Sequence, residues 1–437
     1  MKKFTSLFAL LAVALSVLAQ PYQPTIPTNK TTIFFEKEIS PYLYIYVYGG
    51  DGELAGEWPG TLISNLPNES INGHLVYRWT CDANKAGEKI IFHKDDSNDN
   101  RIEQDFHDKG IYIDGVFDRL AGENVNAHYV FFDTSERDWW NDHDVYVYAW
   151  SQNHNAAYLA WPGVKMERIG STNLYKGTIY SDNFKNIIFN WNKQGGNSVT
   201  GEDQTSTLTE EDDMVYTVSG KAGPASLVVT DGSNFSCAKN YTAVEASYSR
   251  TISDNWGTLC LPFAITKAPD GVTFYTLSSV DTERKVLSFT ATNSVEAGMP
   301  VVFKASGNAL EINEGVVPVS ATAKTSSTVD GWELNGSFAK IENYTPSGGT
   351  MYFFSENKFW SGVPAYIPAY RAWFIANVNF GANPAPFRIE ADDDTEGLQF
   401  VEQEDGTVKA YYDLQGRKLD CARKGLVIEN GKIIMVK

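Results

Sequence analysis

Short runs in which hydrophobic residues alternate with other residues occur along most of the chain, and Gly, Pro, Asn and Asp separate them. A strand points successive side chains to opposite faces, so this alternation is typical of strands with one buried face. In the run from Leu43 to Tyr48, aliphatic and tyrosine side chains alternate. The run from Val145 to Trp150 has the same alternation of aliphatic and aromatic residues. No regular succession of strands and helices is visible. The chain is therefore predicted to be all-β.

An internal repeat fills the first half of the chain. The first copy contains, in order, I-F-F-E from Ile33, Y-I-Y-V-Y from Tyr44, W-P-G from Trp58, I-I-F-H from Ile90, and Gln104. The second copy contains V-F-F-D from Val130, Y-V-Y-A-W from Tyr146, W-P-G from Trp161, I-I-F-N from Ile187, and Gln204. A repeat of this kind is one structural unit. The sequence thus predicts two tandem β-sandwich, immunoglobulin-like modules at residues 20–115 and 128–235.

Each copy combines an aromatic strand face with a tryptophan on a Pro-Gly loop. The aromatic side chains of the strand alternate with aliphatic ones, so they share one face. They are Tyr44, Tyr46 and Tyr48 in the first copy, and Tyr146, Tyr148 and Trp150 in the second. Proline restricts φ and glycine permits a tight turn, so Trp58 and Trp161 are expected to be held rigidly. We expect each loop tryptophan to form an angled pair of rings with the last aromatic residue of the strand, a surface that can stack against sugar rings.

These motifs resemble carbohydrate-binding module family 26, a starch-binding family of β-sandwich modules found mainly beside amylase catalytic domains. The resemblance rests on the Y-x-Y-x-W strand, the W-P-G loop, the I-I-F-N strand and a late Gln-Thr pair that begins at Gln204. It extends to the tryptophan pair at 139–140 in the preceding loop. The first copy departs from the pattern, because His93 replaces the Asn, Asp105 replaces the Thr, and a charged insertion lies between them.

The resemblance implies which residues would bind an α-glucan. Modules of that family stack their strand aromatics and the W-P-G tryptophan on α-1,4-linked glucose units, and nearby polar side chains bind hydroxyls. Carried over, the implied residues of the second copy are Tyr146, Tyr148, Trp150, Trp161, Asn190, Lys193 and Gln204. Those of the first copy are Tyr44, Tyr46, Tyr48, Trp58 and Gln104. An ordinary turn role is the alternative for Asn190, Lys193 and Gln204, because residues such as Asn readily occupy turns.

The second half of the chain lacks the repeat. Short apolar runs between turn residues predict a further β-sandwich domain at 240–390. Within it, Glu296 and Arg371 are interpreted as structural ion-pair residues rather than catalytic groups. Residues 398–437 are predicted to form a small C-terminal β unit with an Asn-Gly turn at 430–431. This tail resembles the sorting domains of type IX secretion, and a terminal β unit that closes the preceding domain is the alternative.

Two lysines, an apolar stretch and small residues at the start of the chain indicate a secretory signal peptide at 1–19. The stretch is shorter than the roughly 20 apolar residues that a membrane-spanning helix needs. No later segment is apolar enough to cross a bilayer. The expected location is therefore secreted or at the outer-membrane cell surface.

Composition narrows the possible ligands. A net charge of −18 argues against a nucleic-acid partner, which would need clustered Lys and Arg. The four cysteines and six histidines show no metal-ligand spacing, so no metal or other cofactor is expected and the histidines are interpreted as turn and surface residues. A disulfide between Cys237 and Cys260 is possible in an exported protein, although sequence does not determine the pairing.

The predicted function is non-catalytic binding of starch or maltooligosaccharides. A starch hydrolase would need paired carboxylates, usually on a large scaffold such as a barrel of about 250 residues, and the repeats and the β domain occupy the whole chain. The alternatives are a surface-adhesion or structural protein that binds another glycan or a protein partner through the same aromatic faces, and, less favoured, an accessory part of a glycoside hydrolase. The short segment 115–127 would let two weak sites act together.

Overall fold

The structure is a computed structural model, and it divides into two compact units, Met1–Ala225 and Ser226–Lys437. It describes residues 23–36, 43–71, 74–94, 101–124, 126–152, 157–159, 161–193, 202–253, 255–355, 358–377 and 388–391, and strands at 411–412, 418–419, 425–429 and 432–436. The predicted signal peptide lies outside these residues. Every regular element within them is a strand except two short 3₁₀ helices, Ile63–Asn65 and Asp138–Asp142, so the all-β prediction is confirmed.

The described residues of the first module form nine strands. They are β1 (Lys30–Glu36), β2 (Tyr44–Tyr48), β3 (Thr61–Leu62), β4 (Asn68–Ile71), β5 (His74–Asp82), β6 (Lys89–His93), β7 (Arg101–Asp105), β8 (Gly110–Ile113) and β9 (Val116–Leu120). One sheet has the order β4-β5-β1-β8-β9, with β1 and β8 parallel, and the other has the order β3-β2-β6-β7. Side chains from both sheets, including Phe35 and Val47, meet in one core. The module is therefore a β-sandwich.

The second module repeats this architecture strand for strand. Its strands are β10 (His128–Asp133), β11 (Tyr146–Trp150), β12 (Val164–Lys165), β13 (Glu167–Arg168), β14 (Leu174–Ile179), β15 (Asn186–Asn190), β16 (Leu208–Thr209), β17 (Met214–Thr217) and β18 (Gly220–Pro224). The sheets are β13-β14-β10-β17-β18 and β12-β11-β15-β16, again with one parallel pair, β10 with β17. The rings of Phe132 and Phe189 stack between the sheets at 4.4 Å. The internal repeat of the sequence is thus a repeat of structure.

The two modules pack directly against each other. β1 is buried on both faces: Phe35 lies in the first module's own core, whereas Phe34 joins a core that continues into the second module. That shared core includes Phe34, Val76, Ile111 and Ile113 of the first module and Val130, Phe132, Val147 and Tyr158 of the second. Removing this apolar surface from water favours a fixed arrangement. The pair therefore differs from two modules on a free linker.

Residues at the expected linker take part in this packing. β9 pairs with β8, so the first module's sheet continues past residue 115 to Leu120. Across the interface, the Ser181 hydroxyl donates to Asp118, and Asn183 Nδ2 donates to the Phe117 carbonyl oxygen at 3.0 Å. At the other end of the module, β19 (Ser226–Thr230) pairs with a strand of the second unit, so strand pairing places the boundary near 225 rather than 235.

His74 lies in the module interface, where it is 9% exposed, and His93 is fully buried. His74 Nδ1 is 2.9 Å from Glu36 Oε2, and its ring contacts the ring of Tyr158 from the second module. The interpretation of the histidines as turn and surface residues is wrong for these two. Both lie on strands at positions where a histidine satisfies a specific buried partner.

The second unit contains a third sandwich. Its remaining strands are β20 (Tyr241–Ala243), β21 (Glu245–Thr251), β22 (Trp256–Cys260), β23 (Val272–Asp281), β24 (Val286–Thr292), β25 (Pro300–Ala305), β26 (Ala309–Glu314), β27 (Val317–Val319), β28 (Trp332–Ser337), β29 (Ile341–Glu342), β30 (Thr350–Ser355), β31 (Lys358–Ser361), β32 (Tyr366–Ile367), β33 (Arg371–Ala376) and β34 (Arg388–Ala391). The sheets β22-β25-β23-β24-β34 and β28-β33-β30-β31 share a core that includes Tyr275, Trp332 and Phe374. Smaller sheets, β19-β21-β26, β20-β27 and β29-β32, complete the described part of this domain.

Ionic contacts in the second unit are structural. Arg371 pairs with Asp231 at 2.9 Å and also donates to the Tyr248 hydroxyl, while the exposed Glu296 pairs with Lys324 at 3.5 Å. These contacts agree with the interpretation of both residues as ion-pair members, with different partners.

The disulfide left open by the sequence is not formed, because Cys237 and Cys260 are both free thiols. Burial raises the pKa of the Cys260 thiol to about 12. This thiol therefore stays protonated, and its Sγ contacts the Gly298 carbonyl oxygen at 3.3 Å.

The C-terminal tail forms a small sheet of β35 (Tyr411–Tyr412), β36 (Lys418–Leu419), β37 (Gly425–Glu429) and β38 (Lys432–Val436) in the order β36-β35-β37-β38. β37 and β38 pair antiparallel with Glu429 opposite Lys432, as expected for strands joined by a two-residue connection. A helix long and apolar enough to span a bilayer is not found in the part of the chain that the structure describes.

Candidate functional site: two aromatic platforms

Strand register builds one aromatic surface on each module. In the second module, β11 pairs with β15 so that Tyr146 lies opposite Asn190, Tyr148 opposite Ile188, and Trp150 opposite Asn186. Directly opposed residues share a face of the sheet. The aliphatic residues between them point to the core, where Val147 and Ala149 are buried. We call the surface made by Tyr146, Tyr148, Trp150 and Trp161 the second platform.

The rings of the second platform form an arc. The centroids of Tyr148 and Trp161 are 5.4 Å apart and their planes meet at 58°. Tyr148 and Trp150 are 5.7 Å apart at 31°. The loop tryptophan thus contacts the middle aromatic residue of the strand, whereas the sequence predicted the last one. Trp161 keeps 41% of its surface exposed, so its ring is available to a ligand.

The W-P-G loop lies tightly against the platform strand. The Trp161-Pro162 peptide bond is cis, and Gly163 has a φ of 97°. A Cβ added to Gly163 would lie 2.3 Å from the Val147 carbonyl oxygen, which no real contact tolerates. Glycine is therefore required here for two reasons, the left-handed backbone and the close approach of the strand. This close approach positions Trp161 beside Tyr148.

Asn190 anchors the loop from below. It is fully buried, its Nδ2 donates to the Pro162 carbonyl oxygen at 3.0 Å, and its Oδ1 accepts from the backbone N–H of Asn192. The structure therefore places Asn190 beneath the platform as a support for the loop. Gln204 bridges to Asn190 and so lies on the platform face of the sheet. Lys193 lies nearby in an ion pair with the buried Asp203 at 2.9 Å.

The first module presents the corresponding surface, made by Tyr44, Tyr46, Tyr48 and Trp58, which we call the first platform. Trp58 and Tyr46 are 5.3 Å apart at 79°, and Tyr46 and Tyr48 are 5.5 Å apart at 22°. The Trp58-Pro59 bond is also cis, and a Cβ on Gly60 would lie 2.2 Å from the Ile45 carbonyl oxygen. The arc and its loop are therefore duplicated together.

His93 takes the place of Asn190 in the first module. Its Nε2 donates to the Pro59 carbonyl oxygen at 2.7 Å, so it makes the same bond to the same loop position. Its ring also stacks on Trp58, with centroids 4.3 Å apart and planes at 13°. The departure from the family pattern at His93 thus preserves the loop support and covers one face of the tryptophan ring.

Gln104 does not occupy the position of Gln204. It lies opposite Ile90 and therefore on the core-side face of β7, away from the tyrosines of the first platform. The residue that matches Gln204 in register is Arg101, which lies opposite His93. The two glutamines lie at similar distances along their repeats, but loops of different length precede them, so they do not occupy equivalent positions in the sheet. The role of Gln104 as a platform residue stays a prediction that its placement does not favour.

Two carboxyl side chains lie beside the first platform, and the sequence analysis did not predict them. The Tyr46 hydroxyl donates to Glu53 at 2.6 Å, and the Tyr48 hydroxyl donates to Glu103 at 3.0 Å. The hydrogen bond to Glu53, with a smaller contribution from burial, raises the pKa of Tyr46 to about 12. Burial and Glu103 likewise raise the pKa of Tyr48. Both hydroxyls therefore stay protonated at physiological pH and donate their hydrogen bonds to the carboxylates.

One charged residue pairs with the second platform, because Lys165 lies opposite Tyr146 and forms an ion pair with Asp144 at 2.8 Å. On the other side of the strand, the partners Asn186, Ile188 and Asn190 carry no charge, and Gln204 lies opposite Asn190. Burial, with a contribution from Asp114 of the first module, raises the pKa of the Tyr148 hydroxyl. Within the described residues, the side chains of Tyr148 and Trp150 make no hydrogen bond.

A second aromatic cluster lies in the second module. Trp191 stacks on His143 with centroids 4.2 Å apart, and Trp139 meets Trp191 edge to face at 6.0 Å. Trp140, by contrast, is fully buried, and its indole N–H donates to the Glu202 carbonyl oxygen. Of the tryptophan pair noted in the sequence, only Trp139 is exposed. Over the described ranges, no group of three or more His, Cys, Asp or Glu residues is arranged to hold a metal ion.

Comparisons with known proteins give remote structural likenesses only. No protein-family model matches the chain, and no curated protein matches it significantly. A family CBM26 module of Eubacterium rectale Amy13K, solved with maltoheptaose, is 17% identical and covers 44% of this chain and 92% of its own, with a TM-score of 0.16. A streptococcal virulence factor solved for its α-glucan binding is 11% identical and covers 43% of this chain and 93% of its own, with a TM-score of 0.18.

The glycogen-degrading, multi-modular pneumococcal virulence factor SpuA, solved as a product complex, is 9% identical, with a TM-score of 0.18. That match covers 84% of this chain but only 37% of SpuA. TM-scores this low do not establish a shared fold.

Proposed function

We propose that this protein is a non-catalytic, extracellular binder of starch and maltooligosaccharides, and that the second platform carries most of its affinity. The observation that supports this most is the duplicated arc of three aromatic rings beside a glycine-locked loop. Flat rings at a protein surface stack well on the apolar faces of sugar rings. A helical α-glucan presents a curved series of such faces, which an angled arc matches better than a coplanar strip would.

Preorganisation supports this proposal. The loop tryptophans are positioned before any ligand arrives, because the Asn190 and His93 side chains hold the loops and glycine allows close packing. A rigid aromatic side chain loses little conformational entropy on binding. The surface is also suited to a neutral ligand, since the raised pKa values of Tyr46, Tyr48 and Tyr148 keep these hydroxyls protonated at neutral pH.

The test of ligand class is gel retardation of the mature full chain against amylopectin, pullulan, dextran and xylan. We expect retardation by amylopectin and pullulan, which contain α-1,4-linked glucose, and free migration with dextran and xylan. Equal retardation by xylan would contradict the α-glucan assignment. The competing function, binding of a protein partner by the same rings, predicts that maltoheptaose leaves tryptophan fluorescence unchanged.

The non-catalytic part of the proposal has its own test. The first platform has two carboxylates beside it, Glu53 and Glu103, but each accepts a hydrogen bond from a tyrosine of that platform. The second platform has the same arc of rings without paired carboxylates in its register partners. We therefore expect no reducing-sugar release from soluble starch, and a release abolished by Glu103→Gln would overturn this part.

We further propose that residues 1–19 direct export and that residues 398–437 act as a sorting tail that brings the protein to or beyond the outer membrane. The signal-peptide pattern and the compact terminal sheet β36-β35-β37-β38 support this. Deletion of 398–437 should reduce the extracellular amount of the protein without loss of export across the inner membrane. Unchanged extracellular amounts would remove the sorting role.

A further inference from the structure

A cleft of about 410 Å³ lies between the two modules of the first unit. Both modules contribute to its walls, through Asp105, His107 and Phe117 of the first and Gln152, Asn183 and Lys185 of the second. This volume falls within the roughly 300–1,000 Å³ of small-molecule sites. None of the residues implied by the family resemblance, apart from Gln104, belongs to this lining. The cleft exists only because the modules pack together.

The lining combines an aromatic wall with amide groups. Phe117 and His107 form the wall, with ring centroids 4.1 Å apart. Asn183 lies opposite and donates to the Phe117 carbonyl oxygen at 3.0 Å, so the two modules are tied together at the cleft. Gln152 is exposed and brings a further amide, with both donor and acceptor atoms. An apolar surface beside several donors and acceptors is the chemistry that recognises a sugar.

Ionised groups of the cleft are already paired within the protein. The pairs are Asp105 with Lys89 at 2.5 Å, Asp182 with His128 at 2.7 Å, and Lys185 with Glu210 at 2.5 Å. Asp105 and Lys185 therefore have counter-charges and Asp182 has a hydrogen-bond partner, so the lining offers no unpaired positive charge to a phosphate. A carboxylate oxygen retains acceptor capacity after one ion pair. A neutral, hydroxyl-rich ligand fits this arrangement best.

The cleft adjoins one end of each platform. Asp105 lies opposite Lys89, which lies opposite Tyr48, the last residue of the first platform strand. On the other side, Gln152 follows Trp150, the last residue of the second platform strand, by two positions. A chain of sugars that leaves either platform at this end would meet the cleft within a few residues.

We propose that the cleft is a third α-glucan subsite, which binds a glucose unit of a chain that also lies on a platform. Gln152 and Asn183 bind hydroxyls of this unit, and Phe117 contacts its apolar face. The subsite rests on the proposed α-glucan function and extends it, because it makes the packed pair of modules recognise a longer chain than either platform does alone. The packing of the two modules against each other creates this subsite.

The test compares maltotriose with maltoheptaose by isothermal titration on the mature full chain. Gln152→Arg, which adds bulk and a positive charge at the cleft wall, should weaken maltoheptaose binding about tenfold, and Gln152→Ala about threefold, as the loss of one or two hydrogen bonds implies. Maltotriose is short enough to remain on a platform, so its affinity should change less than about twofold. Asn68→Arg is the matched control, since Asn68 is an exposed residue on β4, at the opposite edge of its sheet from β9, the strand that lines the cleft.

The outcomes separate this subsite from the function on which it rests. A wild-type chain that binds neither oligosaccharide removes the proposed function and the subsite together. Normal maltoheptaose binding by both Gln152 variants overturns the subsite alone. Equal losses for maltotriose and maltoheptaose also overturn it, because they would indicate general damage to the modules. A melting temperature equal to wild type, measured by calorimetry, confirms that each variant is folded.

Discussion

The two platforms share the same rings but differ in what surrounds them. In the second module, Trp161 stands 41% exposed, and the residues opposite the strand aromatics include Lys165 but no carboxylate. In the first, His93 covers one face of Trp58, and carboxylates hold the hydroxyls of Tyr46 and Tyr48. Both modules therefore keep the arc of rings and the close-packed W-P-G loop, whereas the side chains around the rings differ between them. This difference is the basis for assigning most of the affinity to the second platform.

The largest effect is expected from Gly163→Ala. The added Cβ would meet the Val147 carbonyl oxygen at 2.3 Å, so the loop must move and Trp161 leaves Tyr148. We expect maltoheptaose affinity to fall about 30-fold or more and stability to fall by about 2–4 kcal/mol. Titration calorimetry and thermal unfolding of the full chain measure the two effects.

Gly170→Ala is the control for this loop. Gly170 also has a positive φ, 58°, but nothing lies within 4 Å of its added Cβ. Its cost should be limited to the backbone strain of about 1 kcal/mol, with unchanged binding. If the two glycine variants behaved alike, close packing of the W-P-G loop would not be what positions the tryptophan.

Loss of the loop anchor should have the next largest effect. Asn190→Ala leaves the Pro162 carbonyl oxygen without its donor, which should cost about 1–3 kcal/mol and loosen Trp161. Asn190→His should restore much of the stability, because His93 makes the equivalent bond to Pro59. Differential scanning calorimetry of the three proteins tests this, and a histidine variant no better than alanine would show that the two anchors are not equivalent.

Substitution of the two glutamines should have a smaller effect on binding than loss of the loop anchor, and the effect should differ between them. Gln204 lies on the platform face, whereas Gln104 points to the opposite side of its strand. Gln204→Ala should weaken maltotriose binding about fivefold, the equivalent of one hydrogen bond, and Gln104→Ala should leave it unchanged. Titrations with maltotriose measure both, and a larger loss from Gln104→Ala would contradict the assignment of faces.

The smallest effect concerns Tyr46. Its hydrogen bond to Glu53 raises its pKa to about 12, so the stability that this bond contributes is complete below the ordinary tyrosine pKa and is lost as pH rises through about 12. Glu53→Gln should lower the pKa of Tyr46 towards 10, seen as an earlier phenolate absorbance change in a spectrophotometric titration. Binding should stay constant between neutral pH and about 9 in both proteins, since Tyr46 remains neutral there.

Much of each platform could be predicted from the sequence because it depends on local rules. Alternation placed Tyr44, Tyr46 and Tyr48 on one face, and the W-P-G motif placed a tryptophan on a tight loop beside them. The contact between Trp58 and Tyr46 was not predicted, because the curvature of the loop decides which ring it meets. The identical repeat order also anticipated that both modules would have the same pair of sheets.

Features that depend on distant residues could not be predicted. His93 and Asn190 are equivalent because each donates a hydrogen bond to the proline carbonyl oxygen of its own W-P-G loop. This bond depends on how the loop folds back over the strand, which the sequence does not show. Phe34 reads as an ordinary core residue, and nothing local shows that its face belongs to an interface between modules. Gln104 and Gln204 were expected to be equivalent because they lie about 100 residues apart, as the two repeats do. A difference in loop length changes this spacing without changing which residues of the strands lie opposite each other.

The most direct test of the central claim is a titration of wild type, Trp161→Ala and Trp58→Ala with maltoheptaose, each as the mature full chain. Loss of a central aromatic anchor costs about 2 kcal/mol or more, so Trp161→Ala should weaken binding about 30-fold, while Trp58→Ala should weaken it only a few-fold. The reverse order, or two equal losses, would contradict the assignment of the main α-glucan site to the second platform.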